Sequence, residues 1–332
     1  MDRVQLSHGG GGRMMHQLVH DFFVPAFDLQ TLNDSAVFDL SSAGTFALTT
    51  DSYVISPYFF PGGDIGKLSV CGTVNDLSMA GAKPLYLTVG FILEEGFPMD
   101  DFTRILASMK QVSQDIGVQI VAGDTKVVEK GKGDGIYINT AGFGMVERGL
   151  SLSPKKIRPG DKVIVSGSIG NHGMAVMAER SGISFDPPLL SDVGPLNRLV
   201  EVMLETTKDI RVMRDPTRGG VATTLKEFAF DSGWCIMIDE EMISVRPAVQ
   251  GACDLLGLDP LYVANEGVLI AVVAPNAADV LIEAMRKTKT AEDARIIGEV
   301  MEAPQGSVLL QTAIGGSRLI DMISGEQLPR IC

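Results

Sequence analysis

The stretch from Asp64 to Lys83 constrains the fold more than any other part of the chain. Asp64 has the chemistry of a helix N-cap, and the residues after it read as a helix that runs to about Ala82, where Lys83-Pro84 stops it. Gly66, Gly72, Ser78, Ala80, Gly81 and Ala82 leave this helix thin on several sides. Glycine costs a helix interior about 1 kcal/mol relative to alanine, so a helix this thin is tolerated where another backbone or a ligand packs close. Asn75 and Asp76 place polar groups in the middle of it.

Strand and helix signals alternate around that element. Residues 36–40 and 45–50 read as strands bracketed by Asp34 and Asp51. Residues 85–93 form a continuous apolar strand, 102–116 an amphipathic helix, and 118–122 a buried strand ending directly in Gly123-Asp124-Thr125-Lys126. Residues 136–145 give a further strand. Ser153-Pro154-Lys155-Lys156 with Pro159-Gly160-Asp161 is a polar, proline-bearing joint. Beyond it come a strand over 162–166, a Gly-rich turn and a helix from about Asn171. Pro195 starts a helix through Leu204, and Asp215-Pro216-Thr217-Arg218-Gly219-Gly220 leads into another through Phe230. A strand over 235–238, the turn Ala264-Asn265-Glu266-Gly267 and a helix over 277–286 follow. The expected fold class is α/β (α+β): domains at 1–152 and 153–320, then a flexible tail, 321–332.

With 28 Lys plus Arg against 41 Asp plus Glu, the formal charge of −13 argues against nucleic acid as a partner. An anionic ligand would need metal ions or a helix N-terminus to be admitted. Cys71, Cys235, Cys253 and Cys332 form no C-x-x-C pair, which implies neither a zinc ribbon nor a disulfide scaffold and fits a reducing cytosol. No apolar run has the length of a signal peptide or a membrane span, so a soluble cytoplasmic protein is expected. His16 and His20 stand one helical turn apart, a spacing that suits metal ligands and a surface helix alike.

Two features at the ends of the chain are open to a functional reading. His8-Gly9-Gly10-Gly11-Gly12 precedes an amphipathic pattern, and such a loop serves as a phosphate cradle or as a plain flexible lead-in; no G-K-[ST] follows, so it is not a P-loop. At the other end stand Pro329, Arg330, Ile331 and Cys332. A terminal thiol is either an incidental group on a frayed end or a cargo arm, with Pro329 as stiffener and Arg330 as guide toward phosphates.

Asp34, Asp51, Asp76, Asp124 and Asp215 each end an apolar element or sit among small residues. One such Asp is ordinarily a cap or a turn residue. Five of them, with Asn75 as a neutral oxygen donor, form the hard ligand set that Mg²⁺ takes alongside substrate phosphates. The order Ser-His-Gly-Gly-Gly-Gly, Thr-Asp-Ser-Tyr-Val, Gly-Lys-Leu, Gly-Thr-Val-Asn-Asp-Leu, Gly-Asp-Thr-Lys, Asp-Pro-Thr-Arg-Gly-Gly and Asn-Glu-Gly resembles the ATP-using superfamily typified by aminoimidazole ribonucleotide synthetase, thiamine monophosphate kinase and selenophosphate synthetase. The terminal Pro-Arg-Ile-Cys is similar to that of one branch, the hydrogenase maturation factors that act as carbamoyl dehydratases.

The resemblance implies a homodimer whose N-terminal domains pair their sheets, and ATP in a groove with its phosphates on Mg²⁺. It implies that Asp34, Asp51, Asp76, Asp124 and Asp215 bind metal and phosphate, assisted by Asn75, with Lys67 and Arg218 on phosphate and Gly9, Gly10, Gly11 and Gly12 closing over the nucleotide. His8 is a further phosphate candidate. Cys332 would receive a carbamoyl group from the carbamoyltransferase HypF, and the chain would dehydrate it to a thiocyanate. The HypC–HypD complex would then receive the cyanide for the iron of nickel-iron hydrogenase. Glu266 is the candidate base, or else a turn residue or sixth metal ligand, and Lys126 would hold the carbonyl oxygen or the transferring phosphate. Two rival readings remain: a synthetase or kinase acting on a free small molecule, and a non-catalytic maturation scaffold.

Overall fold

The computed structural model describes residues 12–18, 20–21, 36–39, 44–323, 328 and 330–332. The candidate residues His8, Gly9, Gly10, Gly11, Asp34 and Pro329 lie outside the described residues.

The first half holds β1 (Ala36–Asp39), β2 (Thr45–Tyr53), a short hairpin of β3 (Phe59–Phe60) and β4 (Gly63–Asp64), β5 (Ala82–Glu94), β6 (Gln119–Val128) and β7 (Ile136–Val146). Its helices are α1 (Arg13–Leu18), α2 (Ile65–Met79) and α3 (Met99–Ile116). The main sheet runs β1-β2-β7-β5-β6, antiparallel except for the parallel β5–β6 pair. α2 and α3 cover one face. The other face is open and carries Leu48, Tyr86, Ile92 and Met145, each exposed.

Asp64 caps α2 as its chemistry predicts, accepting the amides of Gly66 and Lys67 at 2.7 and 3.0 Å. The thinness of α2 also has its reason in packing. A Cβ on Gly66 would lie 2.6 Å from the Ile105 carbonyl of α3, and one on Gly72 would lie 2.3 Å from the Tyr53 hydroxyl. The helix is buried nearly all round because the sheet, α3 and the second half all approach it.

The strand ending in Gly-Asp-Thr-Lys departs from the expectation. β6 continues through Asp124 and Lys126 to Val128, and it is an exposed edge strand rather than a buried one, with Val121 and Val127 in the open. An apolar run cannot by itself tell a strand covered on both faces from an edge strand.

The second half holds β8 (Lys162–Val165), α4 (Asn171–Ser181), α5 (Asn197–Thr206), β9 (Ile210–Arg214), α6 (Gly220–Ser232) and β10 (Cys235–Asp239). It continues with α7 (Pro247–Leu256), β11 (Ile270–Val273), α8 (Pro275–Met285), β12 (Arg295–Met301), β13 (Val308–Gln311) and β14 (Ser317–Ile320). Its sheet runs β14-β13-β10-β12-β8-β11-β9. The strands alternate between two cores. Val163 and Val165 pack with Leu225 and Phe228 of α6, while Ile164 packs with Met203 of α5 and Leu281 of α8. Both faces are therefore covered, the condition under which strands read as unbroken apolar runs.

A third cluster joins the halves. Tyr53, Ile65, Leu68 and Cys71 from the first share it with Val176, Val193 and Ala264 from the second, and with Ile331 and Cys332 of the tail. The seam between the sheets is thus a core in its own right.

Candidate active site at the seam of the two sheets

The C-terminal residues are seated in this seam. The Val54 amide donates to a main-chain carboxylate oxygen of Cys332 at 3.1 Å and the Ser56 amide to the Arg330 carbonyl at 3.3 Å. The Arg330 guanidinium donates to the Val54 carbonyl at 2.8 Å and pairs with Asp134. Arg180 of α4 donates to the Arg330 carbonyl at 2.8 Å. His172 Nε2 lies 2.7 Å from the Ile331 carbonyl, so the nitrogen carries the proton and donates. Ordering three residues costs roughly 3–6 kcal/mol of backbone entropy. Burying Ile331 contributes about 1.5–3 kcal/mol, and each hydrogen bond about 1. The seated state wins by a few kcal/mol at most, so the tail is held without being locked.

Cys332 thereby arrives among charged groups. Burial pushes its thiol up to about 12; the Arg218 cation works against that, while Glu266, Asp51 and Asp215 add to it. Arg218 is held firmly protonated, first by Cys332 and then by Asp51 and Glu266. Glu266 is only 2% exposed, and its carboxyl is raised well above the usual range by burial and by Asp215, Asp192 and Asp51. Its Oε1 is buried with no hydrogen-bond partner. An unpaired buried carboxyl oxygen is costly, and one facing a ligand site is a group reserved for that ligand.

The local sequence explains how Glu266 is held. Asn265 accepts the Gly170 amide at 2.7 Å and donates to the Pro216 carbonyl at 3.0 Å, tying the turn to the Asp215-Pro216 segment. Gly267 has no room for a side chain: a Cβ there would sit 1.9 Å from the Asp192 carbonyl. Asp51 stands near the end of β2 beside Tyr53, and burial raises its carboxyl despite the Arg218 cation. Asp76 accepts from Thr49 Oγ1 at 2.9 Å. The fields at Tyr53 place Asp51, Asp76 and Glu266 around one buried ring.

Other expected members fall elsewhere. Asn75 is spent on the joint between the halves: its amide donates to the carbonyls of Gly194 and Glu266 at 3.1 and 3.4 Å, and its oxygen accepts the Leu196 amide at 2.8 Å. It positions the Glu266 backbone instead of facing a nucleotide. Lys67 sits on the first turn of α2, about 13 Å along the axis from Asp76, and donates to the Gly62 carbonyl. Gly12 is buried against Ile323, the only one of the four glycines among the described residues.

Asp124 and Lys126 pair with each other at 2.7 Å, both exposed. Asp51 shares a row with Thr140, Val89 and Gly123, whereas Asp124 shares one with Gly90 and Asn139. Neighbouring rows point to opposite faces. Within one chain these two residues therefore lie on the open face, three strands or about 14 Å from Asp51. Among the described residues no three of His, Cys, Asp and Glu close on one ion. Asp51, Asp76, Asp215 and Glu266 supply hard oxygens of the kind that Mg²⁺ takes alongside substrate phosphates.

His172, Asp192 and Arg180 escaped the sequence reading. His172 opens α4 directly after a Gly-Ser-Ile-Gly turn, a signal for a helix start but not for a role. Nothing local marks Asp192 or Arg180, whose partners are distant in the chain.

This two-sheet fold is that of a known class. Models of the AIR synthase related proteins match the chain at 32–146 for the N-terminal domain and 158–311 for the C-terminal domain, and the chain belongs to that class. Within it, the chain belongs to the carbamoyl dehydratase HypE family. The carbamoyl dehydratase HypE of Cupriavidus necator is 51% identical over 333 residues, covering 99% of this chain and 95% of its own. A crystal structure of the hydrogenase maturation protein HypE in complex with ATP is similar with a TM-score of 0.85 at 46% identity, covering 99% and 100% of the two chains. A HypE–HypF complex gives 0.87 at 48%, covering 92% and 99%.

Proposed function

We propose that this chain uses ATP to dehydrate an S-carbamoyl group on Cys332 to a thiocyanate, which supplies cyanide for the iron of nickel-iron hydrogenase. The observation that carries this reading is the seating of the terminal thiol beside Arg218, Glu266, Asp51 and Asp215. A relative bearing the name carbamoyl dehydratase, an ATP complex and a HypF complex of similar proteins support it.

The chemistry follows from the groups present. An amide oxygen is a poor leaving group. Attack of that oxygen on the γ-phosphorus of ATP forms a C–O–P linkage and releases ADP. Removal of an N–H proton then forms the C–N multiple bond as the C–O bond breaks and phosphate departs; the second N–H proton is lost as the nitrile forms. Glu266 is the acceptor for the first proton: its Oε1 has no hydrogen-bond partner, and burial beside Asp215, Asp192 and Asp51 raises its affinity for a proton. Arg218 offsets charge on the carbamoyl oxygen as phosphate transfers. Asp51, Asp76 and Asp215 are the groups that would hold Mg²⁺, and their hard oxygens fit it. Bound there, the ion neutralises phosphate charge.

The same burial governs the preceding step. A thiol at about 12 is a poor nucleophile, so carbamoyl transfer from HypF takes place with the tail withdrawn from the seam. The marginal balance of tail docking permits this. HypC–HypD would receive the cyanide by the same withdrawal. The open face of the first sheet is the surface for a second copy, and such a homodimer gives Asp124 and Lys126 a site to act in that one chain does not offer. No helix among the described residues is long and apolar enough to cross a membrane.

Intact-mass spectrometry of the HypF-carbamoylated chain, before and after Mg-ATP, tests this reading. Loss of one water from the C-terminal peptide is expected; an unchanged adduct would sink the dehydratase. ATP turnover in Cys332→Ala with a free small molecule would favour a synthetase or kinase. Absence of turnover even with a loaded tail would favour a scaffold.

A further inference from the structure

One short segment, 191–194, touches the base directly and, through His172, the tail that carries its substrate. On one side Asp192 Oδ2 accepts the amides of Glu266 and Gly267 at 3.2 and 3.1 Å, and the Gly194 amide donates to the Glu266 carbonyl at 3.2 Å. On the other side Ser191 Oγ lies 2.8 Å from His172 Nδ1, and His172 Nε2 lies 2.7 Å from the Ile331 carbonyl. The segment is itself anchored, since the Ser191 amide donates to the Pro61 carbonyl at 2.8 Å.

Every direction in this chain of bonds is fixed by chemistry. A carbonyl oxygen only accepts, so His172 must present Nε2–H to Ile331. Nδ1 is then an acceptor, and the Ser191 hydroxyl must donate to it. The Ser191 oxygen in turn accepts the Val193 amide at 3.0 Å. His172 is fully buried, with Phe60 edge-on to its ring at 5.4 Å, so neither water nor a rotamer change can substitute for these bonds. α4 cannot slide away either, because Gly173 packs against Val263 with no space for a Cβ.

We propose that His172, oriented by Ser191, is a positioning residue that sets the register of the tail against Glu266. The 191–194 segment acts as a ruler: it fixes the Glu266 backbone at one end and the Ile331 carbonyl at the other, and so fixes how far the group on Cys332 lies from the base. A misplacement of about 1 Å in such a distance can cost about 10²-fold in rate. This rests on the reading of Cys332 as carrier only in its consequence for turnover; the seating of the tail stands apart from it.

The test has two arms. In the first, the unloaded chain without ATP is treated with iodoacetamide and the four cysteines are followed separately by peptide mass spectrometry. His172→Phe keeps the ring shape and loses both bonds; Ser191→Ala is milder and safeguards against a folding failure. In both, Cys332 is expected to alkylate about fivefold faster than in the wild type, the factor that one lost hydrogen bond of about 1 kcal/mol gives, while Cys71, Cys235 and Cys253 stay protected. His172→Gln, whose amide can still donate to Ile331 and accept from Ser191, is expected to restore the slow rate. Alkylation at the wild-type rate in His172→Phe and Ser191→Ala would overturn the proposal, and so would equal exposure of all four cysteines or failure of the glutamine to rescue. In the second arm the carbamoyl-loaded variants receive Mg-ATP. The proposal expects ATP to be split without a matching yield of thiocyanate in His172→Phe and near-equal yields in His172→Gln; tight coupling in His172→Phe contradicts it. Failure of this arm in the wild type alone would count against the dehydratase reading, not against the seating of the tail.

Discussion

Two sets of acidic residues in this chain look alike in sequence and differ in their surroundings. Asp51, Asp215 and Glu266 lie at the seam, where burial raises the carboxyls of Asp51 and Glu266, the neighbouring acids raise Glu266 further, and Arg218 is the compensating cation. Asp124 lies on an open strand beside Lys126, which holds its carboxyl below the usual range. The first environment stores proton affinity; the second is a solvated ion pair. A carboxylate in a Gly/Thr context therefore becomes a candidate base only where a second layer of structure seals it. Here that layer is the second half of the chain together with its own tail.

The contrast predicts effects of very different size. Glu266→Gln keeps the shape of the site and removes the proton acceptor. Dehydration is expected to fall by about 10²–10⁴-fold with ATP binding retained, and normal thiocyanate formation in single-turnover assays would rule out the base assignment. Arg218→Leu leaves the acidic cluster without its cation; a loss of about 1–3 kcal/mol in urea unfolding is expected, and an unchanged midpoint would show that the cluster is not electrostatically coupled.

His172 gives a pH-dependent test of the seal. Burial lowers its pKa to about 4 from an ordinary value near 6.5. The folded state binds this proton more weakly than the unfolded one, so the neutral imidazole's contribution is complete above pH 6.5 and is lost as pH falls toward 4. Wild type should lose about 2 kcal/mol from this group between pH 7.5 and pH 5, a loss that His172→Gln escapes. Asp192, raised to about 6, works in the opposite sense over much of this range. The comparison between the two proteins, with Asp192 present in both, isolates the histidine. Equal pH dependence in the two would show that the imidazole is not sealed.

The smallest effect belongs to the open face. Asp124→Asn should leave the thermal midpoint unchanged. If it slows turnover in the native assembly yet adds nothing in a Leu48→Asp chain that sediments as a monomer, the outer set acts through a second copy. If it slows both equally, the distinction between the two sets fails.

These regions also differ in how far the sequence reveals them. Local features are readable in the sequence: the Asp64 cap, the start of α4 at Asn171 and the start of α2 depend on neighbours within a turn, whereas α2 ends at Met79 and Lys83-Pro84, expected to stop it, lie inside β5. The reason for glycine at position 72 is a tyrosine on another strand, and the reason at 267 is a carbonyl on another loop, so the sequence shows that space is needed without showing what fills it. Asp124 was grouped with Asp51 because composition is blind to strand parity, and one position along a strand reverses the face. The sequence offers Asn75 as a ligand because its amide is a good donor and acceptor, but the second half of the chain takes both of its donors and one bond to its oxygen. Arg330 was read as a guide toward phosphates and instead pairs with Asp134 while its backbone is bound by Arg180 and Ser56. His172 and Asp192 act across long sequence separations, where no pattern within a window could point to them.

The central claim is that the sealed acidic cluster converts the amide on Cys332 into a nitrile with Glu266 as base. Infrared spectroscopy of the carbamoyl-loaded chain with Mg-ATP reads that bond directly. The account predicts a nitrile stretch that grows in the wild type and is absent from Glu266→Gln over the same time. A wild-type spectrum that keeps only its amide bands, or a nitrile that forms as fast in the variant, would contradict it.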